Sequence, residues 1–205
     1  RCDGDPVFHY MGCSTFANHT VIGNGVGTTG GGVAQSAGIA LRSTAGASSF
    51  DRNVVRANYG SGLAVNNGAS GIQLTRNSFF DNGTITSRNG GGATGQIGID
   101  LNSATDNIDL GTAPFVTLND SGDGDAGGNG LLNYPILGSA QINTGNLVIS
   151  GYARPGSVIE LYVAVADPTG FGEGQTWKMT LTESGTGAGG NDPYADTDAT
   201  TGTYG

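Results

Sequence analysis

The chain has 205 residues, 39 of them glycine, and a formal charge of −9 from 17 acidic and 8 basic groups. Glycine at that density without a three-residue period excludes collagen, and it disfavours long helices, because each helical glycine costs roughly 1 kcal/mol against alanine. The negative balance argues against nucleic acid as a partner, and the absence of any apolar run of roughly 18 residues argues against a transmembrane segment.

Only 12% of the residues are charged, so Asn, Ser, Thr and Gly must make most of the polar surface. That composition, with no leader-like segment and an opening Arg1 instead of Met, points to a processed protein or a fragment, secreted or held at the cell surface. Cys2 and Cys13 come first along the chain. No CxxC and no His–Cys cluster accompanies them, so a structural disulfide closing a short N-terminal loop is expected, contributing on the order of 2–3 kcal/mol.

A repeat follows. FDRNVVRAN (50–58) and LTRNSFFDN (74–82) align at a spacing of 24 residues, pairing Phe50 with Leu74, Asn53 with Asn77, Val55 with Phe79 and Asn58 with Asn82. A weaker copy, FANHTVIGN (16–24), precedes them, with His19 in place of the first Asn. Each copy is followed by a short alternating element: GIAL (38–41), GLAV (62–65) and GIDL (98–101). Alternation over three to five residues is the period of a half-buried strand. Three such strands in one short repeat make one coil of a parallel β-solenoid, whose successive coils stack about 4.8 Å apart. The columns Phe16–Phe50–Leu74 and Val21–Val55–Phe79 should then lie inside, with Asn24–Asn58–Asn82 stacked at a left-handed turn.

These motifs, N-x-hydrophobic-x-x-N followed by G-I-x-L over about residues 14 to 118, resemble the right-handed parallel β-helix family, the pectate-lyase-like repeat. The resemblance implies the fold but not one function, since the family spans lyases, hydrolases, epimerases, adhesins and tailspikes.

The step from Asn to Gly takes 14 residues after Asn24 and 16 after Asn82, but only 4 after Asn58. Two Gly/Thr-rich insertions therefore fall at one corner of the first and third coils. They either wall a shallow slot over Tyr59, where Tyr59 and Arg88 would contact a sugar, or simply tolerate length at little cost. Asp51, Asp81 and Asp100 do not stack into an acidic column, and Arg52 aligns with Arg76 as a surface ladder beside Asp51. With no GxSxG, HExxH or P-loop, no catalytic residue is assigned and the reading leans against an enzyme.

NDSGDGDAGGNG (119–130) comes next. Asp120, Asp123 and Asp125, with Asn119, have the oxygen-rich, glycine-spaced character of a calcium loop, though without the terminal Glu of an EF-hand. The other reading is a solvated acidic linker. NDPYADTD (191–198) is a second, weaker acidic run. Beyond residue 145, NLVISGYARPGSVIELYVAVAD reads as two strands joined by an Arg154–Ser157 turn, and QTWKMTLTE (175–183) as a third. These longer segments resemble the Ig-like module that follows β-helix repeats in large bacterial surface proteins, here too short to be complete.

The expected architecture is all-β: a parallel β-helix with an N-terminal disulfide loop over 1–118, an acidic Gly-rich junction over 119–137, and an antiparallel Ig-like sandwich over 138–205. An unfinished sandwich would present an open β edge to a neighbouring domain or a second copy, as in a filament. The expected function is an extracellular structural or adhesive module stiffened by calcium. The alternative is a carbohydrate-active β-helix that binds or cleaves a polysaccharide.

Overall fold

A computed structural model describes residues 7–9, 15–25, 37–42, 48–86, 91–108, 110–120, 123–154 and 156–183. Cys2, Cys13, Arg88 and the 191–198 run lie outside them. The described residues are almost entirely strand and turn, and none of their helices is long and apolar enough to cross a membrane. The chain packs as two compact units. The first comprises Arg1–Thr117, Ala126–Leu131 and Tyr162–Lys178, and the second Leu118–Asp125, Leu132–Leu161 and Met179–Gly205.

The first unit is a stack of coils. Ten strands of three residues each form three parallel sheets: β1 (Val7–His9), β4 (Ile39–Leu41), β7 (Leu63–Val65) and β10 (Ile99–Leu101) in one; β2 (Thr15–Ala17), β5 (Ser49–Asp51) and β8 (Gln73–Thr75) in the second; β3 (Thr20–Ile22), β6 (Val54–Arg56) and β9 (Ser78–Phe80) in the third. The sequence alignment is the structural register. Phe16 pairs with Phe50 and Phe50 with Leu74, while Val21 pairs with Val55 and Val55 with Phe79. These columns, with Ile39–Leu63 and Leu41–Val65, make the apolar interior.

Two asparagine ladders edge that interior. Asn24 donates its main-chain N–H and its amide to Asn58 Oδ1 at 3.0 and 3.1 Å, and Asn58 does the same to Asn82 Oδ1 at 3.3 and 2.8 Å. At the other corner Asn53 donates twice to Asn77 Oδ1, and His19 joins through its main-chain N–H alone, 3.0 Å from Asn53 Oδ1. All of these asparagines are buried. A buried amide is tolerable when its donors and acceptor are met, and the ladders meet them coil by coil, save Asn24 Oδ1 at the first rung, which has no partner among the described residues.

The left-handed turn falls one residue earlier than expected. Gly23, Ala57 and Asp81 have φ of 72°, 50° and 60°, and Asn18, Arg52 and Arg76 have φ of 60°, 53° and 52°. The ladder asparagines are not among these positive-φ residues; they follow the bend and hold it by side-chain bonds. The glycine that opens G-I-x-L has a related cause. A β-carbon on Gly62 would lie 2.6 Å from the Gly98 carbonyl oxygen and 2.7 Å from the Phe79 ring, and one on Gly38 would lie 2.6 Å from Asn58 Nδ2. The ladder needs that space.

The last ladder rung is not an asparagine. Asn82 donates its main-chain N–H to Glu173 Oε2 at 3.0 Å and its amide to Glu173 Oε1 at 2.8 Å. A short 3-10 turn, Gly128–Leu131, also belongs to this unit. Its Asn129 exchanges two bonds with the Ile72 backbone, at 2.9 and 2.8 Å.

In the second unit β11 (Ile136–Asn143) and β12 (Asn146–Tyr152) form an antiparallel hairpin. Thr144 and Gly145, with φ of 46° and 84°, supply the two left-handed positions that a tight two-residue hairpin loop requires. Two further strands, β13 (Val158–Val165) and β14 (Glu173–Thr182), pair with each other and are divided between the units. The expected turn after Arg154 is present, with Ser157 N–H donating to the Arg154 carbonyl at 3.0 Å. The strands on its two sides do not pair across it. The partner of β12 is β11, which spans the expected boundary between junction and sandwich and was not among the three strands expected there. Leu137, Ile142, Leu147 and Tyr152 of the hairpin are more than half exposed.

Candidate metal centre

The acidic loop belongs to the second unit and is fixed by two asparagines. Asn119 donates its amide to the Tyr134 carbonyl at 2.8 Å and accepts from Tyr134 N–H at 2.9 Å. Asn133 returns the pattern, accepting from Asp120 N–H at 3.1 Å and donating to the Asp120 carbonyl at 2.9 Å. Residues 119–120 are thus clamped alongside 133–134, and the loop between must bend sharply. Asp123 adopts φ 55° within it.

The bend brings Asp120, Asp123 and Asp125 together, with one carboxylate oxygen of each within 4.8 Å of the others. The three differ in what already occupies them. Asp123 accepts from Asn133 N–H at 2.8 Å and forms an ion pair with Arg154, and its side chain is only 6% exposed. Asp120 Oδ2 accepts from Gly124 N–H at 3.0 Å. Asp120 Oδ1 and Asp125 Oδ1 are shielded from solvent and have no hydrogen-bond partner among the described residues. Partial burial, then the charges of Asp120 and Asp123, push the Asp125 carboxyl above its ordinary value. Three carboxylates facing one guanidinium leave local negative charge uncompensated.

The donor set is all oxygen, which suits calcium and not zinc or copper. Asp120 and Asp125 each have an oxygen to give. Asp123 can join only by releasing Arg154. Asn119 spends both amide atoms on Tyr134, and Asn129, in the same glycine-rich stretch, spends its own on Ile72.

The other singled-out residues are dispersed. Tyr59 is half-buried, and its carbonyl accepts from Thr94 Oγ1 at 2.8 Å. The far end of the second insertion therefore folds back onto the coil, and Arg88 lies outside the described residues. Asp51 is the centre of a surface clamp, bridging Arg52 at 2.7 Å and Arg76 at 2.8 Å and accepting from Thr75 Oγ1 at 3.0 Å. Sequence reasoning missed Asn133, Arg154 and Glu173 as partners. The sequence marks Arg154 only as the start of a turn, and nothing in a lone Asn or Glu marks the residue it will meet.

No protein-family model, no curated protein and no solved structure matches this chain.

Proposed function

We propose that this chain is a structural module of an extracellular surface protein, stiffened by calcium. The observation that supports it is the convergence of Asp120, Asp123 and Asp125 with two carboxylate oxygens left unpartnered. In this reading the coils form a right-handed β-helix of the pectate-lyase-like kind, and the hairpins are part of an Ig-like module. Calcium held by the three aspartates would lock the loop against Asn133 and the hairpin that follows. The exposed apolar residues of β11 and β12 would be covered by a neighbouring domain or a second copy. The interior of the coils is committed to ladders and apolar columns, and Asp51 to its arginines, which favours support over chemistry.

The test is a thermal melt in millimolar calcium and in chelator. Calcium should raise the midpoint, and Asp120→Asn with Asp125→Asn should shrink the rise by the share that the acidic loop contributes. A melt indifferent to calcium would overturn the metal-stiffened reading. Depolymerisation of any member of a broad polysaccharide panel would overturn the structural reading in favour of a carbohydrate-active β-helix.

A further inference from the structure

A second group of buried oxygens lies in the first unit, on the sheet of β4, β7 and β10. Asp100 pairs in register with Ala64, and Leu101 with Val65. The ladder continues one residue further, where Asn102 N–H donates to the Val65 carbonyl at 2.9 Å. Asn66 and Asn102 therefore stand abreast on neighbouring strands. Asp100 is two residues before Asn102 and so on the same face.

That face is covered. Asn66 donates its amide to the Ile108 carbonyl at 3.2 Å, and a β-carbon on Gly111 would lie 2.4 Å from Asp100 Oδ2 and 3.0 Å from the Phe115 ring. Asn66, Asp100 and Asn102 are 4%, 3% and 2% exposed. Yet Asn66 Oδ1, Asp100 Oδ2 and Asn102 Oδ1 have no hydrogen-bond partner among the described residues. Burial, partly offset by a hydrogen bond from the Asn102 side chain and reinforced by the charge of Asp106, pushes the Asp100 carboxyl up to about 6.

Buried polar groups in folded proteins are almost always satisfied, and a buried carboxylate needs a counter-charge or a metal. A proton on Asp100 would satisfy its own oxygen and, by donating, one amide oxygen, and leave the other amide oxygen as it is. One water has two hydrogens for three oxygens. A cation seated between them would serve all three at once. The donors are one carboxylate and two amide oxygens, the hard set that calcium takes with room for water.

We propose that Asp100, Asn102 and Asn66 hold a calcium ion beneath Ile108, Gly111 and Phe115, fastening the last coil to the segment that covers it. This site is independent of the acidic loop. It is tested in a chain carrying Asp123→Asn and Asp125→Asn, by equilibrium dialysis against calcium and by melting. That chain should still bind one calcium and melt higher with it. Adding Asp100→Asn should weaken the remaining binding at least tenfold and cancel the rise. Should the Asp100 variant not fold, Asn102→Ala must weaken binding in its place. A folded loop-site variant that binds no calcium overturns the proposal and leaves these oxygens to water. Unchanged binding after both substitutions overturns it too. If the wild-type chain and the loop-site variant bind the same single ion, the acidic-loop reading fails and this one stands.

Discussion

Glu173 stands where a fourth asparagine would stand above Asn82. Its two carboxylate oxygens take the main-chain N–H and the amide of Asn82, the same pair of donors that each asparagine offers to the coil after it. Gly98 keeps the matching space, since a β-carbon there would lie 3.1 Å from Glu173 Oε1, as one on Gly62 would lie 3.0 Å from Asn82 Nδ2. Glu173→Ala should strand two buried donors and cost about 2–4 kcal/mol. Glu173→Gln should hold or exceed wild-type stability at pH 7.5, because a single amide oxygen already accepts both bonds elsewhere in the ladder. Urea denaturation of the two variants checks the contrast.

The same residue sets a pH dependence. Burial, opposed by the Asn82 bonds and aided by Asp167 and Asp81, raises the Glu173 carboxyl from 4.5 to about 6. The folded state then holds its proton more tightly than the unfolded state does. The associated stability is fully present below pH 4.5 and is lost as pH rises through about 6, a change of about 2 kcal/mol. Wild type minus Glu173→Gln, measured by urea denaturation from pH 4 to 8, should fall across that window and be flat above it. A difference that rises with pH would contradict the assignment.

Gly62→Ala should destabilise the stack by about 1–3 kcal/mol, through forced contact with the Gly98 carbonyl and the Phe79 ring. The loss should appear as a lower thermal midpoint with unchanged far-UV dichroism at low temperature.

Asp51→Ala breaks two ion pairs at once, yet Arg52 and Arg76 are 53% and 36% exposed at the side chain. Solvent screens both, so the cost should stay below about 1 kcal/mol and shrink further in salt. A double-mutant cycle with Arg76→Ala measures it.

Arg154→Ala should lower the melting midpoint in chelator and raise calcium affinity, because it releases the Asp123 oxygen that the ion would need. Calorimetric titration with calcium reads both the affinity and its sign.

The coils were legible because their information is local and repeated. Phe50 and Leu74, or Asn58 and Asn82, identify one another at a fixed spacing, and the register follows without any long-range knowledge. The left-handed positions were misplaced by one residue because asparagine is usually credited with the bend, whereas Ala57 and Arg52 make it here under the hold of the ladder. Glu173 was out of reach, since it meets Asn82 across 91 residues with no repeat to announce it. The acidic loop was legible as composition. Its clamps by Asn133 and Arg154 were not, because a single side chain carries no period. The hairpin partner of β12 was missed for want of a strong turn signal at Thr144–Gly145, and the Arg154–Ser157 turn drew attention to the wrong neighbour.

The bonds from asparagine to asparagine all point one way, from each coil to the one after it. The stack is therefore polar in the sense that a growing polymer is polar. However many coils it contains, the final one presents the same two spare donors, and a carboxylate answers them without bringing a donor of its own. The terminator reads only the last rung and not the count. Duplication or loss of a coil would leave the closing contact between glutamate and asparagine intact, so the length of such a protein can change over evolutionary time while its end stays the same.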